Sequence, residues 1–154
     1  MIFVRESIVS EKKNIEDFLR EGIPVSFKPQ GNSMHPTIVQ GRDSVIVEPL
    51  GDRKLKRGDV ALFRRPDDAK ILPGSLIIHR VHRVKKDGIY MVGDNEKKVE
   101  GPLPPEQFLG IMTELIRNGK HITVKNLRYR IITRLWLFLR PVRFIITKPF
   151  RRSR

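Results

Sequence analysis

Three observations predict a mainly β fold for this 154-residue chain: a folded antiparallel β domain with a short helix before it and a basic helical segment after it. Short runs rich in Val, Ile and Phe recur through the middle of the chain, each bounded by Gly, Asp or Asn pairs. Helical spacing of apolar residues occurs only towards the two ends. The charge is divided the same way. From Ile116 to Arg154 there are 12 Lys or Arg and no Asp or Glu, which leaves 19 basic against 17 acidic residues before that point. The body is nearly neutral, and the end of the chain carries most of the +14 net charge.

Taken in order, Ser10 followed by Glu11-Lys12-Lys13 and then Ile15, Phe18 and Leu19 predicts a capped helix over Glu11 to Arg20, ended by Gly22. Strands are predicted over Ile23 to Pro29, Ser44 to Glu48, Val60 to Arg64, Leu76 to Val84, Ile89 to Val92, Phe108 to Ile116 and His121 to Val124. Asp87-Gly88 and Asn118-Gly119 mark tight hairpins, because such pairs tolerate positive φ. Strands of this length and spacing suit a sandwich-like or barrel-like domain. From about Lys125 the pattern becomes helical through Arg140, with Pro141 breaking or restarting it. The organisation is therefore residues 1–22 as an N-terminal helical segment, 23–124 as the β domain and 125–154 as a basic, apolar helical tail.

Several chemistries are disfavoured. There is no cysteine, and His35, His79, His82 and His121 form no zinc-binding spacing, so neither a metal nor another cofactor is expected. No phosphate-binding glycine loop occurs. Met1-Ile2-Phe3-Val4 runs straight into Arg5-Glu6, so no secretory signal develops, and no run of about 18 apolar residues is present to span a membrane. A peripheral membrane or cytoplasmic location is expected. The tail's arginines do not collect on one face of a helix, but Trp136, Phe138 and Phe144 among long Arg stems suit contact with an anionic membrane surface. The competing expectation is a helix packed on the β domain with arginines around its rim.

The run Gly31-Asn32-Ser33-Met34-His35-Pro36-Thr37 carries the most chemistry. Gly and Pro hold unusual backbone angles at such a corner, which lets a serine project beside backbone N–H donors, as a nucleophile requires. A serine hydroxyl needs a neighbouring base with a suitable pKa. His79, in Leu76-Ile77-Ile78-His79-Arg80-Val81, is that candidate, titrating in the ordinary histidine range. His82 lies three positions on and faces away unless a bulge intervenes. His35 shares the serine's own turn, and His121 sits at a hairpin. Asp94 and Glu100 are the next carboxylates along the chain and are candidates to orient the base, though Asp in a Gly-Asp-Asn turn is ordinarily a turn-former. The amide of Asn32 is a candidate oxyanion donor beside the Ser33 N–H.

Gly31-x-Ser33-Met34-x-Pro36-Thr37, Gly58-Asp59-Val60, His79-Arg80-Val81 and Gly93-Asp94-Asn95 occur in the order and approximate spacing of type I signal peptidases. Over roughly Val25 to Met112 the chain resembles a small member of the S24/S26 serine peptidase superfamily, which also includes self-cleaving repressor domains. Most bacterial members have lysine where this chain has His79; the endoplasmic-reticulum and archaeal type has histidine. The resemblance implies Ser33 as nucleophile, His79 as general base and Asp94 as the residue that orients the base or supports the site. Glu100 falls near a second acidic position that is Asp in the endoplasmic-reticulum type. The implied activity is cofactor-free cleavage of leader or signal peptides, on peptide or preprotein substrates with small residues before the scissile bond. Where that family usually has an N-terminal membrane anchor before the Ser-Met run, a short, charged helix is expected here. Two other readings compete: a non-catalytic β module docking on a membrane or partner through its tail, and a repressor-like self-cleaving regulator whose basic tail binds nucleic acid. Nucleic acid is not the expected partner, because no helix-turn-helix precedes the β domain and the candidate base is His rather than Lys.

Overall fold

The computed structural model describes residues 3–4, 14–70 and 74–142. The predicted arrangement holds: a mainly antiparallel β fold with a short helix ahead of most of the sheet and a longer helix after it. Helix α1 spans Ile15–Arg20. Its cap is Asn14, whose side chain accepts from the Asp17 N–H at 2.9 Å while the Asp17 carboxylate accepts from the Asn14 N–H at 3.1 Å. This reciprocal box satisfies two N–H groups the helix would otherwise leave open. The expected cap, Ser10, lies outside the described residues, and Asn14 with φ −86° and ψ 170° is extended, so α1 begins there. Glu16 bonds Arg20 within the helix and Arg64 across to the sheet, and Leu19 enters the core.

The strands are β1 (Phe3–Val4), β2 (Val25–Phe27), β3 (Pro29–Gln30), β4 (Asp43–Pro49), β5 (Val60–Arg64), β6 (Leu76–Lys85), β7 (Gly88–Val92), β8 (Glu100–Leu103), β9 (Phe108–Arg117) and β10 (Lys120–Thr123). All ladders are antiparallel, in the order β2-β4-β9-β5-β6-β1-β3, with β7 on β6, β8 on β7 and β10 on β9. Among the described residues no ladder joins β2 to β3, so the sheet is open rather than closed into a barrel. Three strands were not predicted as such. β1 is only two residues long, the expected Ile23 to Pro29 strand divides so that Pro29–Gln30 pairs separately with β1, and Glu100-Gly-Pro-Leu reads as a turn until β7 supplies its partner. The Asn118-Gly119 hairpin is as predicted: both residues have positive φ, 51° and 75°, and Arg117 pairs with Lys120 across it.

Period-two alternation sorts side chains onto two faces, and each face has its own apolar cluster. Val60, Leu62 and Ile78 join Val45, Val47, Met112 and Leu115 on one side. Ala61, Phe63, Ile77 and Val81 join Met91, Leu103 and Phe108 on the other. This double burial matters for the site, because it leaves the polar residues at positions 79 and 80 of β6 inside protein whichever face they take.

Helix α2 spans Leu127–Phe138, capped by the Asn126 side chain on the Arg128 N–H at 2.9 Å. It lies on the β domain through Tyr129, Thr133 and Leu137, and the Trp136 indole N–H donates to the Asp94 carbonyl at 3.0 Å. Pro141 follows three residues after its last residue. The helix is thus docked by one face; Phe144 and the rest of the tail from residue 143 lie outside the described residues. Among the described residues no helix is long and apolar enough to cross a membrane.

Candidate active site

The serine corner, residues 31–39, links β3 to β4 and is held from below by its own apolar residues. Met34 and Ile38, one helical turn apart, are fully buried in the first core cluster, and the Ile38 N–H donates to the Met34 carbonyl at 3.0 Å. Gly31 takes φ 89° at the entrance and donates its N–H to Gln40 Oε1 at 2.8 Å. At the exit, Asp43 accepts from the Val39 N–H and pairs with Arg42 and Arg117, while Arg117 also donates to the Thr37 carbonyl at 3.0 Å. Anchored at both ends and in the middle, the corner holds Ser33 in a fixed position.

Ser33 Oγ lies 3.0 Å from His79 Nε2, although 46 residues separate them. His79 stands in the middle of β6, opposite Ala61 of β5, with the edge of Phe63 against its ring at 6.2 Å between centroids. A small residue opposite and an aromatic beside it leave room for a buried imidazole. Ser33 is 2 % exposed and His79 0 %. Burial is the largest influence on the imidazole and lowers its pKa to about 4; the Glu100 carboxylate works against this and Arg65 works with it. His79 is therefore neutral at physiological pH, where the sequence alone places it in the ordinary histidine range.

For Nε2 to accept the serine proton, the ring's own proton must sit on Nδ1. Among the described residues buried Nδ1 has no hydrogen-bond partner, and Glu100 Oε2 lies 3.9 Å from it. Both oxygens of Glu100 are engaged by Arg65, at 2.6 and 2.7 Å, in the forked geometry that holds a carboxylate in one orientation. Glu96 Oε2 stands 3.8 Å from Nε2, and burial raises the Glu96 pKa, with Glu100 adding to the rise and Arg65 opposing it. Two carboxylates thus flank the imidazole, one near each nitrogen, ready to stabilise an imidazolium.

Asp94 takes a different place from the one at the base. Its carboxylate receives two hydrogen bonds from Arg80, at 2.8 and 2.7 Å, and another from the Thr37 hydroxyl. Arg80 follows His79 and so projects to the opposite face of β6, fully buried. Its third bond goes to the Gly58 carbonyl at 2.8 Å. Burial opposes the guanidinium charge, but Asp94 holds it well above its ordinary range. Thr37, Gly58, Arg80 and Asp94, one from each of the four motifs singled out in the sequence, therefore meet in one buried ionic cluster beside the serine–histidine pair. Gly93 completes the join. Its position allows the Asn95 N–H to reach the Ser33 carbonyl at 2.7 Å, and a Cβ on Gly93 would stand 2.7 Å from that same carbonyl oxygen.

The remaining candidates are apart from this pair. Asn32 is exposed, and its carbonyl accepts from the His35 N–H at 3.1 Å. His35 is exposed on the outer side of the corner. A bulge does interrupt β6 between Val81 and Arg83, but His82 contacts Arg83, not Ser33. His121 pairs with Glu114 on the surface. Sequence reasoning missed Glu96 and Arg65. Glu96 follows the Gly-Asp-Asn turn directly, and that adjacency was the available signal; nothing in the sequence links Arg65 to Glu100. Among the described residues no cluster of His, Asp and Glu could hold a metal ion. No known family, no curated protein and no solved structure matches this chain.

Proposed function

We infer that the chain is a serine endopeptidase of the type I signal peptidase kind, with Ser33 as nucleophile and His79 as general base. The observation that supports this is the 3.0 Å contact between Ser33 Oγ and His79 Nε2, with the imidazole neutral and so able to take a proton. In the first half-reaction Oγ attacks the scissile carbonyl carbon while its proton passes to Nε2. The tetrahedral intermediate then collapses, the C–N bond breaks, and His79 returns the proton to the departing amine. Water, deprotonated in turn by His79, releases the acyl group and restores the serine. Glu96 and Glu100 stabilise the transient imidazolium, and Arg65 keeps Glu100 in place. Asp94 supports the site by fixing Arg80 and Thr37. The oxyanion is assigned to the Ser33 N–H on chemical grounds.

The substrate class that goes with this reading is a leader or signal peptide with small residues before the cleavage point. The test is cleavage of a fluorogenic leader peptide with Ala at the first and third positions before the bond. Ser33→Ala abolishes cleavage and keeps the wild-type melting curve; cleavage at the wild-type rate removes Ser33 as nucleophile and with it this function.

A further inference from the structure

The face of α2 turned away from the β domain has its own pattern. At about 100° per residue, Leu127, Ile131, Leu135 and Phe138 fall within an arc of about 80°. They are 68, 55, 53 and 76 % exposed, and Ile132 stands beside them at 61 %. On the same wheel Tyr129, Thr133, Trp136 and Leu137, the residues that dock the helix, lie on the opposite side. The helix thus has two apolar faces, and the β domain covers only one. Arg130 and Arg134 border the open stripe on one side and Arg128 on the other. Beside it runs a groove of about 630 Å³ whose walls include Arg130, Arg134 and Phe138 from α2 and Lys56, Arg57 and Asp59 from the turn before β5.

We propose that the open stripe of α2 docks on an anionic lipid surface, its aliphatic and aromatic side chains at the acyl boundary and lipid phosphates in the cationic groove. Charge complementarity selects this occupant. Four cations line a groove that contains one carboxylate, Asp59, and the whole chain from Ile116 onward carries 12 positive residues and no acidic one. Nucleic acid would answer the charge but leave four large apolar side chains in water. An apolar protein surface would cover the stripe and leave the arginines on both edges without counter-charge. An anionic bilayer presents an apolar layer and a plane of phosphates at the spacing that long Arg stems bridge. The helix lies along the surface, with Trp136 still on the Asp94 carbonyl, so docking holds the β domain against the membrane through the ionic cluster beside Ser33. The docking stands independently of the peptidase reading.

Co-sedimentation of the full chain with vesicles tests it, using phosphatidylcholine alone and an equal mixture with phosphatidylglycerol. The wild-type chain binds the mixed vesicles, and binding weakens at high salt as the phosphates are screened. Leu135→Glu/Phe138→Glu, both exposed, lowers the bound fraction about tenfold or more without altering the melting curve. Arg130→Glu/Arg134→Glu lowers binding to mixed vesicles to the level seen with phosphatidylcholine. Ser33→Ala binds as wild type. The proposal is overturned by any of three results: wild-type binding that ignores lipid charge, a stripe variant that binds unchanged, or a wild-type chain that ignores both vesicles and dimerises through the stripe.

Discussion

Stability as a function of pH offers a direct measure of His79's surroundings. The imidazole titrates near its ordinary value of 6.5 in the unfolded chain and at about 4 when folded. Between those values the unfolded state binds the extra proton and the native state does not, so stability increases with pH across this window and is lost as pH falls through it. A shift of this size corresponds to about 2 kcal/mol lost at pH 5 and about 3 kcal/mol at pH 4, relative to neutral pH. Urea denaturation at intervals from pH 7.5 to pH 4 measures the slope. Other groups contribute as well, Glu96 among them because burial raises its pKa, and the variant His79→Gln removes only the histidine's part. The difference in slope between wild type and His79→Gln should be close to one proton between pH 4.5 and 6. The variant's absolute stability is lower, but the slope carries the test. Parallel pH profiles for the two proteins refute the buried, neutral histidine. In peptide cleavage the same shift predicts a kcat/KM that is flat from pH 5 to 8 and falls only towards pH 4; an acid limb near 6.5 refutes it as well.

Gly93→Ala forces a Cβ to within 2.7 Å of the Ser33 carbonyl oxygen, and overpacking of this kind costs about 1–3 kcal/mol. Urea denaturation reads that loss, cleavage falls with it because Ser33 shifts, and a variant as stable as wild type contradicts the close approach. Arg80→Met leaves the Asp94 carboxylate buried without its cation and destabilises by about 3–5 kcal/mol, measured by the same method. Arg80→Met/Asp94→Leu recovers much of that loss, whereas two additive penalties show that the pair is not coupled.

The longer strands were legible because each one's own residues specify it, whereas β1, β3 and β8 are defined by their partners. Val60 to Arg64 matches its predicted range in full, and Asn118-Gly119 turns as its composition demands. The Ser33–His79 pair was legible in part. A titratable ring in an apolar run and a serine on a Gly-rich corner are both visible in sequence, but their meeting depends on β3, the corner and β6 coming together. Asp94, which follows His79 along the chain, was expected to orient the base or to support the site. Adjacent residues on a strand face opposite ways, and that alternation gives Asp94 to Arg80 instead. The helix α2 was legible as a helix, but its two faces were not separable until Tyr129 and Leu137 had a surface to meet.

By itself the sequence determined the mainly β class, the position of the turns, the helix near each end, the polarity of the chain's charge and the two side chains best suited to nucleophilic chemistry. These depend on local backbone preference and on residue chemistry, both of which act over a few positions. The tertiary structure alone decided that His79 is neutral, that Glu96 and Glu100 flank it, that Asp94 belongs to Arg80, and that one face of α2 stays open. Each of these depends on which surfaces lose contact with water, and burial is a property of the packed chain that no single segment contains.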